Sequence, residues 1–263
     1  MIRALSNAAS GMMAQETNID VLSNNLANVN TAGYKRSRAE FADLFYEARI
    51  KPGAPSPDGT PLPVGLEIGH GVRTVATYKD FGGGEMRQTS NPLDISIEGK
   101  GFFQITQPDG TRAFTRSGIF KTNAEGQVVN VDGYQIDPAI SIPEDATSVT
   151  ISESGVVSVT LGGDSQQVEV GQLQIATFPN PAGLSSMGRN LYEETPASGQ
   201  AVLSTPGEEG AGRLLQGFIE SSNVAVVSEM IDLIAAQRAY EVNSKVIQAA
   251  DQMLQQTTRI AGR

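Results

Sequence analysis

The first thirty residues carry apolar side chains at a seven-residue spacing. One row, in which each member is a heptad from the next, consists of Leu5, Met12, Ile19 and Leu26. Leu22 fills an intermediate position, as in the a and d positions of a coiled coil. Asn28, Asn30 and Gly33 follow, and these residue types tolerate the left-handed conformation that ends helices. The pattern therefore predicts an N-terminal helix that stops before Gly33.

The C-terminal end repeats this spacing over a longer span. Its row of heptad-spaced positions consists of Val226, Leu233, Tyr240, Ile247 and Leu254. All 13 prolines lie between Pro52 and Pro206, and proline interrupts helices. Only the two ends of the chain can therefore hold long helices. At ~1.5 Å per residue, the C-terminal helix would be roughly 54 Å long.

The middle of the chain has the alternation and the turn signals of β-hairpins. Apolar positions that alternate with polar ones include Leu93, Ile95 and Ile97. Pro108-Asp109-Gly110 and Asp132-Gly133 are turn sequences between apolar runs. Residues 46–90 are rich in proline and glycine around short apolar pieces, which is typical of a long hairpin or an extended arm.

These patterns predict an α+β fold. Long N- and C-terminal α-helices are expected to pack as a coiled-coil domain formed by residues 1–35 and 217–263. A central antiparallel β-rich domain is expected over residues 91–216, with a Pro/Gly-rich extended hairpin as connector over residues 36–90. The alternative is a globular domain whose helices pack on its own sheet. The position of the two stripes at opposite ends of the chain weakens that alternative.

The distribution of charge disfavours one class of partner. The net charge is −10, whereas nucleic-acid phosphates select a basic surface, so we expect no nucleic-acid partner. Residues 1–45 carry no net charge and residues 217–263 carry −1, so most of the negative charge lies in the middle. Near-neutral ends can approach other copies of themselves without strong repulsion.

The residue types of common catalytic and metal sites are scarce. The chain has no cysteine and a single histidine, His70, which cannot supply the Cys and His clusters of zinc sites. The glycine run at residues 82–84 lacks the Lys-Ser/Thr of a phosphate-binding loop. A pair of carboxylates for glycoside hydrolysis remains open, although tryptophan is absent. We expect no enzyme, no catalytic or metal-binding residue, no cofactor and no small-molecule substrate.

Neither a signal peptide nor a membrane-spanning segment is expected. Ser6, Asn7 and Ser10 interrupt the N-terminal apolar stretch, and no apolar run approaches the ~20 residues that cross a bilayer. If the protein leaves the cytoplasm, we expect export without a cleaved signal peptide. This weighs against a cell-surface adhesin or other binding module, which is the alternative from a different function class.

Both ends of the chain resemble the flagellar basal-body rod and hook family. Residues 8–12 and 22–35 resemble the N-terminal motif of this family, and residues 229–254 resemble its C-terminal motif. Residues 91–103, in the middle, are also similar to the family. The length and the Pro-rich extension are most similar to the distal rod member. The proximal rod member that shares the β-domain is the nearest alternative.

This resemblance implies a structural function. Family subunits pass unfolded through the flagellar type III export apparatus and stack helically at the growing tip. The terminal helices form the inner tube, and the β-rich domain faces outward. The resulting rod crosses the periplasm as a drive shaft that transmits torque from motor to hook. Its expected partners are further copies in a homopolymer, neighbouring rod and hook proteins, the surrounding flagellar rings and the export apparatus.

The candidate assembly interface lies on the two helical ends, which we expect to be disordered in the free monomer and to order on assembly. An Asn-rich turn near residue 28 either caps the helix or hydrogen-bonds to a neighbouring subunit, and both alternatives are open. The candidate interface residues are Leu5, Met12, Ile19, Leu22, Asn24, Asn25, Leu26, Asn28, Asn30, Val226, Leu233, Gln237, Arg238, Tyr240, Asn243, Ile247 and Leu254.

Overall fold

A computed structural model describes most of the chain as two compact units. The described residues are 2–53, 55, 63–162, 167–208 and 210–261. Most of the Pro/Gly-rich stretch predicted within the extension, at residues 54 and 56–62, lies outside them. Unit 1 consists of Met1–Leu26, Ser37–Tyr78 and Val226–Arg263. Unit 2 consists of Ala27–Arg36 and Lys79–Ala225.

Two long helices supply most of unit 1. Helix α1 spans Ile2–Ala27, and helix α2 spans Val226–Ala261. Neither contains a proline, and α2 also lacks glycine, which favours uninterrupted helix. Glu229 lies in the first turn of α2, where a negative charge interacts favourably with the helix dipole. No helix among the described residues is long and apolar enough to cross a membrane.

Four strands complete unit 1 and form a double hairpin, which we call the arm. They are β1 (Ser37–Asp43), β2 (Tyr46–Ile50), β3 (Leu66–Gly69) and β4 (Val72–Lys79). Strand β2 pairs antiparallel with β3, with Tyr46 opposite Gly69, and β1 pairs with β4. Asn7 of α1 donates a hydrogen bond from its amide to the Gly69 carbonyl (3.1 Å), so the turn between β3 and β4 is tied to α1.

Unit 2 is built from short strands and one 3₁₀ turn at Pro181–Gly183. In the described part of the chain the strands are β5 (Met86–Gln88), β6 (Ile95–Glu98), β7 (Phe102–Thr106), β8 (Arg112–Thr115), β9 (Lys121–Thr122), β10 (Val128–Val129), β11 (Gln135–Asp137), β12 (Ala146–Ile151), β13 (Val156–Leu161), β14 (Gln167–Gln172), β15 (Ile175–Thr177), β16 (Ser185–Gly188), β17 (Leu191–Glu193), β18 (Val202–Ser204), β19 (Arg213–Gln216) and β20 (Phe218–Glu220).

The pairing in unit 2 is antiparallel. One sheet follows the order β16-β17-β8-β7-β11-β10-β9, and β15 joins β7 to β18. A separate sheet has the order β12-β13-β14, and the pairs β6–β19 and β5–β20 stand apart from it. Strand β20 therefore ends unit 2 close to the point in the sequence where α2 begins.

The apolar core of the described residues lies in unit 2. Its largest cluster contains Phe103 and Phe120, whose rings meet edge to face with centroids 5.2 Å apart. A second cluster contains Phe102, Phe114 and Tyr192. Edge-to-face aromatic pairs add about 0.5–1.5 kcal/mol beyond their burial. Unit 2 is thus a closed β-domain with its own packed interior.

The predicted fold class is wrong, because the terminal helices do not form a coiled-coil domain. In the described part of the chain there are two α-helices, one at each end, with a mostly antiparallel β-rich middle. Where the helices meet, the Asn243 amide lies against Gly11, and Asn25 donates to Glu229 (3.1 Å). Tyr240 of the predicted seam is 41% exposed. A coiled coil needs interlocked apolar side chains, whereas these contacts are polar or involve glycine.

Candidate assembly interface

The structure places the predicted interface residues at three levels of exposure. The exposed ones are Asn24, Asn30, Val226, Gln237, Arg238 and Tyr240. The half-buried ones are Leu5, Met12, Ile19, Leu26, Asn28, Leu233, Asn243, Ile247 and Leu254. Leu22 and Asn25 are buried. The set therefore mixes side chains that are available to a neighbour with side chains that already have contacts within the chain.

Sequence reasoning missed an apolar stripe at the start of α2. Val227, Met230, Ile231 and Ile234 are spaced at i, i+3, i+4 and i+7, and they are 73%, 49%, 61% and 49% exposed. This spacing places them on one helix face. Glu229 lies on the opposite face and is buried. The sequence contained this spacing, but the predicted interface residues of α2 come mainly from the heptad row between Val226 and Leu254. Helix α2 is thus apolar on two sides, and the side with this stripe is the more exposed.

The arm carries a second exposed apolar surface. Phe45, between β1 and β2, is 90% exposed, and Tyr46 and Phe41 are 57% and 39% exposed. Val75 on β4 is 51% exposed. The Pro/Gly-rich composition around these residues indicates a connector, whereas the resemblance to the rod and hook family implies that the extension at residues 46–80 is a contact that stiffens the rod. The arm is therefore a second candidate contact surface, in addition to the exposed apolar stripe of α2.

Exposed large hydrophobic side chains are concentrated in unit 1. In the described part of the chain, 18 of them belong to unit 1 and five to unit 2. The five in unit 2 are Val131, Val168, Met187, Val202 and Leu203. Scattered exposed apolar residues are ordinary, whereas a concentration of them marks an interaction site. Unit 1 is therefore the candidate assembly interface.

The two units also differ in charge. Unit 1 has nine basic and eleven acidic residues, for a net charge of −2. Unit 2 has ten basic and eighteen acidic residues, for a net charge of −8. Because like charges repel, contacts between copies through unit 1 cost less electrostatically than contacts through unit 2.

Asn25 is an internal clamp of unit 1. Its amide nitrogen donates to the Ser37 carbonyl (2.9 Å) and to the Glu229 carboxylate (3.1 Å). Its amide oxygen accepts from the Ser37 backbone N–H (2.8 Å). Asn25 and Glu229 are each 1% exposed. One amide side chain thus joins α1, β1 and the first turn of α2, which are distant in the sequence.

In unit 2, a buried ionic cluster joins segments that are distant in the sequence, as Asn25 does in unit 1. The Glu220 carboxylate at the end of β20 accepts hydrogen bonds from Lys35 Nζ (2.6 Å) and Arg116 Nε (2.9 Å). Lys35, Arg116 and Glu220 are 0%, 4% and 1% exposed. The guanidinium of Arg116 also donates to the Gly99 and Gly101 carbonyls. Each of these buried charges therefore has partners, as burial requires.

Burial and charge shift the ionisation of this cluster in opposite ways. Burial opposes the charged form of Glu220, but Arg116, Lys35 and the Gly84 amide outweigh it, so the pKa of Glu220 lies below its ordinary value. Burial lowers the pKa of Lys35 despite the attraction of Glu220. Burial also lowers the pKa of Lys79, whose ammonium lies over the Tyr34 ring at 4.8 Å. No single sequence motif predicts this cluster.

The described residues show no arrangement for metal chemistry. No group of three or more His, Cys, Asp and Glu side chains among them is placed to hold a metal ion. His70 is exposed between β3 and β4.

Comparisons with known proteins identify the family. Three family models match: Flagella basal body rod protein over residues 5–35, Flagellar hook protein FlgE/F/G D1 domain over 96–159, and Flagellar basal body rod FlgEFG protein C-terminal over 215–260. The predicted resemblance to the rod and hook family is thus confirmed, and the matched segments include both ends of the chain.

Full-length relatives agree with these matches. The chain is 51% identical to the flagellar basal-body rod protein FlgG of Caulobacter vibrioides, over 98% of this chain and 99% of the relative. It is 49% identical to FlgG of Borreliella burgdorferi (97% of each chain) and 37% identical to FlgG of Bacillus subtilis (99% of each chain). The chain therefore belongs to the FlgG family of flagellar basal-body rod proteins and is a structural subunit of the distal rod.

Proposed function

We propose that copies of this chain stack through unit 1 into a rigid homopolymer that transmits torque from motor to hook. The exposed stripe on α2 carries this proposal, because a helix that is apolar on two faces requires cover on both. Full burial of one large apolar side chain stabilises by about 1.5–3 kcal/mol. Several half-exposed side chains per copy therefore supply a substantial driving force for assembly.

The presence of two unlike apolar surfaces on unit 1 favours an open polymer. The stripe lies on α2 and the exposed aromatic side chains lie on the arm, which are different elements of unit 1. Contact between unlike surfaces of successive copies is heterologous, and heterologous contacts extend into helical filaments when they do not close into rings. In this arrangement residues 1–35 and 217–263 line the inner tube, and residues 91–216 face outward.

Location and further partners follow from the family. The protein is a component of the flagellar basal body, and it assembles there with other rod and hook proteins. We infer that its rod crosses the periplasm, that the surrounding flagellar rings contact it, and that the export apparatus delivers it without cleavage of a signal peptide. The extension around residues 46–80 is proposed as the contact that stiffens the rod.

Electron microscopy of concentrated protein tests the stacking proposal. The wild-type protein is expected to form rods, and Ile231→Lys with Ile234→Lys is expected to abolish them, because two charges would enter the buried interface. Val168→Lys with Leu203→Lys is the matched control, since these side chains of unit 2 have similar exposure (46% and 44%). Rods from the α2 variant, or none from the wild type, would contradict the proposal.

The terminal helices of the free monomer are expected to be marginal, because isolated helices gain most of their stability from burial. Limited trypsin digestion of the purified monomer checks this expectation. Cleavage at Arg238 and Lys245, which are exposed on α2, should precede cleavage within unit 2. Equal resistance of both units would show that unit 1 is stable before assembly.

A further inference from the structure

The turn that follows α1 belongs to unit 2 and is held there by hydrogen bonds at successive positions. We call residues 28–34 the post-helix turn. The Gly33 N–H donates to the Glu220 backbone carbonyl (2.8 Å), and the Asn190 side chain donates to the Ala32 carbonyl (3.0 Å). Gly33 has φ +71°, and a Cβ there would lie 2.6 Å from the Ser117 nitrogen. The turn therefore lies directly against the backbone that follows β8.

The turn makes polar contacts and lies outside the hydrophobic clusters of unit 2, although Tyr34 at its end is buried. Among the described residues, none of the members of the three hydrophobic clusters comes from residues 28–34. The next residue, Lys35, reaches the Glu220 carboxylate, and its ammonium also donates to the Gly82 carbonyl (2.7 Å). The buried ammonium of Lys35 thus anchors the C-terminal end of the turn, in addition to the hydrogen bonds made by Ala32 and Gly33.

Glu220 is the anion that both buried cations of the cluster contact. Its Oε1 accepts from Lys35 and from the Gly84 N–H (2.8 Å), and its Oε2 accepts from Arg116. Removing one member of a buried ion pair leaves an uncompensated charge, which is strongly unfavourable. The three segments that contain Lys35, Gly84 and Arg116 are therefore held in place together.

We propose that Glu220 is a positioning residue for assembly: through Lys35 it fixes the post-helix turn, and with it Asn28 and Asn30 of the candidate interface. This inference rests on the proposed function and extends it, because it adds the turn, which belongs to unit 2, to the contact between copies that unit 1 makes. Asn30 is exposed and Asn28 is half-buried, so the turn presents polar groups to a neighbour. A polar contact depends on geometry, since hydrogen bonds weaken steeply with distance and angle.

Lys35→Met tests the inference without leaving a buried charge unpaired. The variant keeps a long side chain and leaves Glu220 and Arg116 as a neutral pair. Hydrogen exchange measured by mass spectrometry should accelerate at least tenfold in residues 31–36, with unchanged exchange in β7 and β13. Rod formation should slow at least tenfold. Arg213→Met, which removes the exposed partner of Glu98 (2.5 Å), is the matched control and should change neither readout.

Substitutions of Glu220 provide the second readout. Glu220→Asp keeps the charge on a shorter side chain, so its exchange in residues 31–36 should lie between the wild type and Glu220→Gln. Unchanged exchange in Lys35→Met, equal acceleration in β7 and β13, or wild-type assembly despite a loosened turn would each overturn the inference. Absence of rods from the wild type would instead defeat the proposed function, and the exchange result would still decide whether Glu220 positions the turn.

Discussion

The two units of this protein differ in where their large apolar side chains lie: unit 2 buries them, whereas unit 1 exposes most of them. In unit 2, aromatic and branched side chains fill three buried clusters. In unit 1, the buried apolar side chains among the described residues are small, and four of the five are alanines: Ala8, Ala14, Leu22, Ala236 and Ala250. The large apolar side chains of unit 1 are mostly at its surface. Unit 2 is therefore complete as a single copy, whereas unit 1 resembles half of an interface.

Each unit is nevertheless closed by a polar side chain that joins distant parts of the chain. Asn25 contacts Ser37 and Glu229 in unit 1, and Glu220 contacts Lys35 and Arg116 in unit 2. Buried polar groups need specific partners in a specific geometry, whereas apolar contacts tolerate sliding. This division predicts that monomer stability depends on unit 2, and that assembly depends on unit 1 together with the post-helix turn.

The largest test of this division is Phe103→Ala. Phe103 is fully buried and packs on Phe120, so the substitution should cost about 3–5 kcal/mol of unfolding free energy in unit 2. Phe45→Ala in the arm is the control, because Phe45 is 90% exposed. It should leave the melting of the monomer unchanged and raise the protein concentration needed for rods. Calorimetry and electron microscopy measure the two effects. A large loss of monomer stability in Phe45→Ala would break the comparison.

Glu220→Gln should cost about 3 kcal/mol at neutral pH, because it leaves two buried cations without their counterion. The folded-state pKa of Glu220 lies below its ordinary value of 4.5, so its stabilising contribution is present above about pH 4.5 and is lost as the pH falls through the folded pKa. The difference in unfolding free energy between wild type and variant should therefore shrink below pH 4.5.

Urea denaturation between pH 3 and pH 7 measures this difference. Glu98→Gln, which removes a carboxylate of an exposed pair with Arg213, should show little difference from the wild type at any pH. A difference between wild type and Glu220→Gln that stays constant down to pH 3 would mean that the charge of Glu220 does not hold the cluster.

Substituting one glycine in each unit by alanine tests how much space the surrounding residues leave for an added Cβ. Gly33→Ala should cost about 2 kcal/mol or more, because φ is +71° and the Cβ would meet the backbone of Arg116 and Ser117 at 2.6–2.8 Å. Gly11→Ala in α1 meets only the end of the Asn243 side chain, at 2.9 Å. Its gain in helix propensity of about 1 kcal/mol should offset that shift. Thermal unfolding of both variants checks the contrast, and an equal loss in both would contradict it.

Local signals in the sequence predicted local structure well. The turn predicted at Pro108-Asp109-Gly110 is confirmed, since Gly110 has φ +82° and its N–H donates to the Gln107 carbonyl (2.9 Å). The turn at Asp132-Gly133 is confirmed in the same way, with φ +85° at Gly133. These turns depend on a few adjacent residues, and the preference of glycine for positive φ is independent of the rest of the fold.

Contacts between distant residues could not be predicted in this way. The heptad rows showed which faces of the helices are apolar, but a spacing does not show what covers a face, so the coiled-coil packing was wrong. The cluster of Lys35, Arg116 and Glu220 joins residues that are 104 and 185 positions apart. Only the folded antiparallel sheets bring these residues together. For the same reason, the internal position of Asn25 became visible only in the structure.

The smallest expected losses of stability are those of Asn25→Ala and Asn30→Ala, which should affect different properties. Asn25→Ala removes the hydrogen bonds to Ser37 and Glu229 from a buried site of unit 1, and buried groups left without partners cost about 1–3 kcal/mol. The loss should be confined to unit 1, as faster hydrogen exchange in α1, β1 and the first turn of α2, with unit 2 unaffected. Asn30→Ala, at an exposed position, should change monomer stability by less than about 0.5 kcal/mol while weakening assembly. If Asn25→Ala accelerated exchange equally in the core strands of unit 2, the units would unfold together. Stability and assembly could then not be assigned to separate parts of the chain.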